Sequence, residues 1–144
     1  MRAKSDDAGR AALEFLAFSV VLVIPTLFLG MSLYSISSAT LATEAAARNA
    51  VRIFVQSPDL TSAASQAERA AEGVLANHGF RELASIERLC RPSDCLAPGA
   101  VVRIRVGVDA PLFSSDFIPG AAGVTEVRIE AEATNKVSAY VGQR

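Results

Sequence analysis

The sequence predicts an α+β fold, in which a long N-terminal helix continues into a small head with a second helix and a roughly three-stranded antiparallel sheet. Three observations predict it. An apolar run from Ala11 to Tyr34 contains a single charge, Glu14. An alanine-rich segment further along has apolar residues at helical spacing. Two later segments, VVRIRVGVD and VTEVRIEAEA, alternate apolar and charged residues as half-buried strands do.

The composition fits a small domain with an anchor. The chain has 144 residues, of which 51% are hydrophobic, and its formal net charge is −1. This length allows one ordinary domain, or a small domain plus a membrane segment. A charge near zero gives no sign of a nucleic-acid-binding surface, so we expect no nucleic acid among the partners.

The apolar run predicts a membrane-spanning helix. As a helix, Ala11–Tyr34 extends about 36 Å, which is enough to cross a bilayer core with some tilt. No Gly or Pro occurs between Ser35 and Ser57, so we expect the same helix to continue to about Gln56. Pro25 removes one backbone donor and predicts a bend inside the bilayer.

Charges around the run predict its orientation. Three basic residues precede it: Arg2, Lys4 and Arg10. Two aspartates dilute them, and the next basic residue is Arg48. The positive-inside rule then predicts a single-pass protein of the inner (cytoplasmic) membrane, with a cytoplasmic N-terminus and an exported head. Small residues around Thr40 leave conventional signal-peptidase cleavage as the alternative.

The second helix has start and stop signals. Ser57 and Pro58 read as the N-cap and the first helical residue, and Gly79 reads as a left-handed terminator. The predicted buried stripe consists of Leu60, Ala64, Ala67, Ala71, Val74 and His78. We interpret His78 as a partly buried or capping residue. A metal site is not expected, because the chain has no other histidine to complete a ligand set.

The rest of the chain predicts strands. The apolar faces of the two alternating segments consist of Val102, Ile104, Val106 and Val108, and of Val127, Ile129, Ala131 and Ala133. A shorter strand is expected around Ser85 to Arg91. Alternation of this kind is typical of an antiparallel sheet with one solvated face. On that face we expect Arg103 and Arg105 to pair with glutamates as solvated charges, and not to form a substrate site.

The segment Pro111 to Gly123 contains two prolines and predicts a loop. We expect it to expose three of its apolar residues, Phe113, Phe117 and Ile118. They form either a contact with a partner subunit or a cluster folded back onto the sheet edge, and both interpretations stay open.

Two cysteines, Cys90 and Cys95, flank a short loop in LCRPSDC. An exported domain permits a disulfide. A redox role would favour a CxxC spacing, and a zinc site would need more ligands. We therefore predict a structural disulfide that stabilises the head by about 2 kcal/mol on the chain-entropy model.

Catalytic motifs are absent from the sequence. There is no Gly-rich phosphate loop, no GxSxG and no HExxH. The acids of the head lie on polar faces, as solvated charges do. We expect neither enzymatic activity nor a cofactor.

The remaining question is why Glu14 lies inside the front of an apolar run. The stretch GRAALEF reads as Gly9, four residues, Glu14 and Phe15, followed by the apolar helix. This pattern resembles the class III prepilin signal, G-x4-E-[FY]. Together with a small α/β head and a cysteine-closed loop, it resembles the TadE-like minor pilins, or pseudopilins, of tight-adherence (Tad) pilus systems.

The resemblance implies three segments: a leader peptide (1–9), the transmembrane part of the helix (10–34) and an exported pilin-like head (35–144). A prepilin peptidase would cut between Gly9 and Arg10. Two residues depart from the family pattern: Arg10, where an apolar or small residue is more usual, and Pro25, which comes late in the helix.

The resemblance also implies that Glu14, with Phe15 beside it, sets the register between subunits. After cleavage, Glu14 would pair with the N-terminal amine of a neighbour, since an unpartnered charge in lipid is costly. The alternative is that Glu14 lies at headgroup level and extends to water.

The resemblance implies a subunit for assembly of a Tad-type pilus, which primes or polymerises through its N-terminal helix. Its partners would be the membrane, the prepilin peptidase, other pilin and minor pilin subunits, and the assembly machinery. It would reside in the cytoplasmic membrane or in a surface pilus. The alternative function is a signal-anchored exported binding domain that does not polymerise.

Overall fold

Two helices precede three strands in the computed structural model, which describes residues 4–80, 82–111 and 126–139. The elements are α1 (Lys4–Gln56), α2 (Leu60–Asn77), β1 (Ser85–Arg91), β2 (Val101–Pro111) and β3 (Glu126–Lys136). The strands form one antiparallel sheet in the order β1-β2-β3. Both α2 and the sheet pack against α1. The predicted α+β fold is confirmed.

The first helix is continuous over 53 residues, a length of about 80 Å at 1.5 Å per residue. The helix already includes Lys4, ahead of Ala11, and no proline interrupts the polar residues between them. It passes through Pro25 without a break, and the bend at that residue stays a prediction.

The core lies where the rear of α1 meets α2 and the sheet. Buried residues on α2 recur at every fourth position: Ala63, Ala67, Ala71 and Leu75. A row on α1 has the same spacing: Ala42, Ala46, Ala50 and Phe54. Spacing of four is that of the ridges that interdigitate between packed helices. The predicted α2 stripe is therefore wrong at its ends, because it mixed steps of three and four: Leu60 and His78 are exposed.

The predicted start of α2 is also wrong. The N-cap is Asp59, whose carboxylate accepts a hydrogen bond from the Ser62 backbone N–H at 2.9 Å. Ser57 instead closes α1, since its hydroxyl donates to the carbonyl oxygen of Ile53. The predicted terminator is confirmed: Gly79 has φ +86°.

The end of α2 has the hydrogen bonds of a Schellman motif. The backbone N–H of Gly79 donates to Ala76, and that of Phe80 donates to Leu75. His78 is the C-cap residue and is exposed. Of its two predicted roles, capping is therefore confirmed and partial burial is not.

The sheet confirms the alternation on β2. Val102, Ile104, Val106 and Val108 are buried, and the intervening arginines are exposed. On the edge strand β3 the predicted apolar face is only partly covered. Ala133 is buried there, whereas Val127 is exposed at the strand's start. One face of the sheet thus covers α1 and the other faces solvent.

The first residue of the predicted loop, Pro111, lies in a strand instead. Pro111 is the last residue of β2 and pairs with Glu126, a position where a strand tolerates proline. Phe113, Phe117 and Ile118 lie outside the described residues, so both interpretations of that cluster remain predictions.

Candidate functional site

We call residues 9–34 the front of α1 and residues 35–56 its rear. The front is a largely exposed apolar surface. Most of its large side chains are exposed, for example Phe15 at 74% and Phe18 at 70%. In the described part of the chain, α1 is the one helix long and apolar enough to cross a membrane. Such a surface is stable only in lipid or against other proteins. The helix therefore indicates association with a membrane, as a span or as a signal.

The three residues of the prepilin-like pattern, and Arg10 after the predicted cleavage site, lie on this front part. Gly9, Arg10, Glu14 and Phe15 are all exposed on α1. Arg10 and Glu14 are one turn apart and share a face of the helix. Even so, the Glu14 carboxylate has no ion pair among the described residues. The single chain thus leaves this carboxylate available to an outside partner.

Gly9 has open space around it. A Cβ built on this residue meets no atom within 4 Å, and the same holds for Gly30 on the same helix. Glycine at position 9 is therefore not required by the packing of the described chain. Processing and neighbour contacts remain as reasons for a small residue there, and Gly9 and Arg10 are both exposed on the helix.

The change from exposed to packed helix occurs between Ser35 and Ala39. The Ser35 hydroxyl donates a hydrogen bond to the carbonyl oxygen of Pro111, which ties α1 to the end of β2. Ala39 is fully buried. From Ala39 to Phe54 the helix packs against α2 and the sheet and forms the centre of the head.

The two cysteines form the predicted disulfide. The Cys90 and Cys95 sulfurs are 2.03 Å apart, and the Cα atoms are 5.1 Å apart. The bond joins the end of β1 to the loop that leads to β2. In that loop the Asp94 carboxylate accepts a hydrogen bond from the Leu96 backbone N–H at 3.1 Å. A disulfide in a small domain is typical of an exported protein.

The solvated face of the sheet carries ion pairs, as predicted for Arg103 and Arg105. Arg103 lies 3.2 Å from Glu132, and Arg105 lies 3.4 Å from both Glu132 and Glu87. All of these side chains are substantially exposed, so each pair contributes little to stability. Their arrangement is that of a charged surface.

One ion pair on this face was missed from the sequence. Arg128 donates two hydrogen bonds of 2.9 Å to the Asp109 carboxylate. This bidentate contact lowers the pKa of Asp109 and raises that of Arg128. The two residues are partners in the pairing of β2 with β3. The pattern of each strand alone does not predict which residues face each other across the pair.

In the described part of the chain, no group of three or more His, Cys, Asp or Glu residues is placed to hold a metal ion. A second contact missed from the sequence is structural: the Arg88 guanidinium lies 5.2 Å from the centre of the Phe54 ring. It is a cation–π contact that ties β1 to the rear of α1.

Together, a long apolar N-terminal helix, a second helix and a small antiparallel sheet with a disulfide define the shape of the molecule. The architecture is type IV pilin-like. No protein family, curated protein or solved structure matches the chain. The pilin-like shape therefore stands on the arrangement of the elements.

Proposed function

We propose that the chain is a minor pilin, or pseudopilin, that takes part in assembling a Tad-type pilus. The observation that carries this proposal is the division of α1 into two parts. Its front is apolar, exposed and marked by one unpaired carboxylate, Glu14, whereas its rear is the spine of a disulfide-bonded head. A subunit that leaves the membrane and packs its helix against those of other subunits needs an apolar front and a head-bearing rear on one continuous helix.

The sequence resemblance supports the details of the proposal. A prepilin peptidase removes residues 1–9 at the cytoplasmic side, and the mature chain starts at Arg10. The helix spans the cytoplasmic membrane, with the head exported. In the assembly, Glu14 pairs with the α-amino group of a neighbouring subunit, which relieves the cost of a lone charge in lipid. No enzymatic activity or cofactor is part of this role.

Processing is tested by determining the N-terminus of the protein from its native membrane. We expect a start at Arg10, and we expect Gly9→Leu to block cleavage. Gly30→Leu is the matched control, since neither glycine has an atom within 4 Å of a built Cβ. An intact Met1 in cells with active prepilin peptidase, or a start near Thr40, would contradict the proposal.

Assembly is tested with Glu14→Leu. Removing an intramembrane charge favours insertion by about 3 kcal/mol on insertion scales, so we expect a normal amount of the variant in the membrane. We also expect cleavage after Gly9 and loss of surface pili, because the neighbour's amine loses its counter-charge.

Two control variants accompany this test. Glu14→Asp keeps a carboxylate and should restore part of the assembly. Ala17→Leu adds the same apolar bulk one turn later and should leave assembly unchanged. Normal piliation by Glu14→Leu would instead favour a signal-anchored binding domain that does not polymerise.

A further inference from the structure

The solvated face of the sheet is electrically polarised along its length. Strand pairing places Arg91, Val101 and Lys136 side by side in one row, and Leu89, Arg103 and Thr134 in the next. We call these two rows the basic end. They contain three cations, and no carboxylate stands in either row. Arg103 pairs with Glu132 of the next row, so the excess positive charge of the described face rests on Arg91 and Lys136.

The opposite end of the same face is acidic. Glu130 pairs with Gly107, and Glu126 pairs with Pro111. Between them lies the Asp109–Arg128 ion pair, and Glu82 lines a shallow depression beside these residues. We call Glu82, Glu126 and Glu130 the acidic end. The row between the two ends holds Arg105 with its two glutamates and separates the excess charges.

The polarity runs parallel to the rear of α1. The acidic end lies where α1 enters the head, because Ser35 bonds to Pro111 there. The basic end lies toward the other end of the head, because Arg88, next to Leu89, lies over Phe54. The basic end is therefore far from the exposed front of α1, and it does not face the headgroups of the membrane that the front would enter.

The basic end also has an apolar centre. Leu89 is 57% exposed and Val101 is 41% exposed. With Arg91 and Arg103 they line a depression of about 170 Å³. Apolar side chains ringed by charged ones are typical of the centre and rim of a protein contact. A carboxylate-bearing surface fits this patch by charge.

We propose that this face is a head-to-tail contact between copies of the chain, in which the basic end of one head binds the acidic end of the next. The inference deepens the proposed function, because parallel anchors make the two ends meet only when the copies are shifted along α1. The required shift is about 20 to 33 Å, the separation of Lys136 from Glu130 and from Glu126 along β3. Such a contact joins two different patches, so it extends into an open row and does not close into a dimer.

The chain offers a direct test, because it has two lysines, Lys4 and Lys136. A zero-length carbodiimide reagent joins a lysine amine to a carboxylate. Lys136 and Glu126 lie at opposite ends of β3, about 33 Å apart at 3.3 Å per residue. A Lys136–Glu126 link can therefore form only between two molecules. The same holds for Lys136–Glu130, at roughly 20 Å.

The reagent is applied to intact cells, to sheared surface material and to purified full-length protein in detergent, and linked peptides are identified by mass spectrometry. We expect Lys136 linked to Glu126, Glu130 or Glu82, with a yield that falls as salt rises. Arg91→Glu should lower the yield about tenfold by like-charge repulsion. Adding Glu130→Lys to the same chain should restore part of it.

Arg69→Glu is the matched control, because Arg69 is exposed on α2, away from the sheet face, and it should leave the yield unchanged. Links from Lys136 to other carboxylates only, or no links, would overturn the contact. So would equal loss with Arg69→Glu. If pili still depend on Glu14 in that case, the proposed function stands without this contact. If pili are absent from wild-type cells, the purified protein decides the contact by itself.

Discussion

The two parts of α1 are one continuous helix with opposite surroundings. Large apolar side chains are concentrated in the front, where Phe18 is 70% exposed, whereas the rear is fully buried at Ala46 and Phe54. The rear uses alanine because small side chains let α2 and the sheet approach the helix axis. The front uses leucine, valine and phenylalanine because its partners are outside the chain. Side-chain size thus separates contacts within the chain from contacts with lipid or other subunits.

The largest effect on head stability is expected from a substitution in the buried rear of α1. Phe54→Ala removes a fully buried ring and its cation–π contact with Arg88. Such truncations cost about 3–5 kcal/mol, so the free energy of unfolding of the head should fall by that amount. Hydrogen exchange of β2 amides in the detergent-solubilised full chain measures it.

Phe18→Ala is the matched variant in the front of the same helix. It should leave β2 exchange unchanged, because Phe18 is 70% exposed and precedes the part of α1 that packs in the described head. Equal effects of the two variants would mean that the front and the head unfold together. That result would contradict the division of α1 into two independent parts.

Patterns within single segments were sufficient to predict most of the head. The alternation on β2 predicted its buried face, and Gly79 predicted the end of α2. The start of α2 was missed because Ser57 and Asp59 are both good caps, and only the bond from Ser57 back to Ile53 decides between them.

Features that depend on pairing between distant segments were beyond such patterns. Arg91 and Lys136 are 45 positions apart in the sequence and share a row only because both flank Val101. The spacing of Gly9 and Glu14 is visible in the sequence, but the role that we propose for these residues requires a peptidase and a neighbouring subunit. A single chain contains neither, so the candidate site is the part that the fold leaves open.

A smaller effect is expected from the disulfide. Replacing Cys90 and Cys95 together by Ser releases a short loop and should lower the free energy of unfolding of the head by about 2 kcal/mol. Membrane insertion through the front of α1 should be unchanged, which separates the two regions again. The measurement is hydrogen exchange of β1 and β2 peptides, combined with the membrane level of the variant.

The same experiment has a chemical control. Exported wild-type protein should have almost no thiol that an alkylating reagent can modify under denaturing, non-reducing conditions. Full alkylation of both cysteines without reductant would contradict a structural disulfide.

The smallest effect concerns acid, and it belongs to the head alone. Hydrogen bonds from Arg128 lower the pKa of Asp109, and those from the Ser62 hydroxyl and backbone N–H lower the pKa of Asp59. A carboxylate whose pKa is lower in the folded state stabilises the fold at pH values above its unfolded-state pKa, about 3.9. That contribution is lost as the pH falls through this value toward the lower folded-state pKa. Exchange of β2 amides should therefore accelerate as the pH is lowered from about 5 to 3, after correction for the intrinsic exchange rate.

Asp109→Asn should flatten this dependence, because it removes the titrating group and its ion pair, whereas Glu68→Gln, an exposed change on α2, should keep the wild-type profile. The front of α1 has no acid other than Glu14 between Ala11 and Tyr34, so its exchange in detergent should not follow the Asp109 titration. A profile that Asp109→Asn leaves unaltered would show that the bidentate pair with Arg128 does not contribute to folding, and that its role is in the charge pattern of the sheet face.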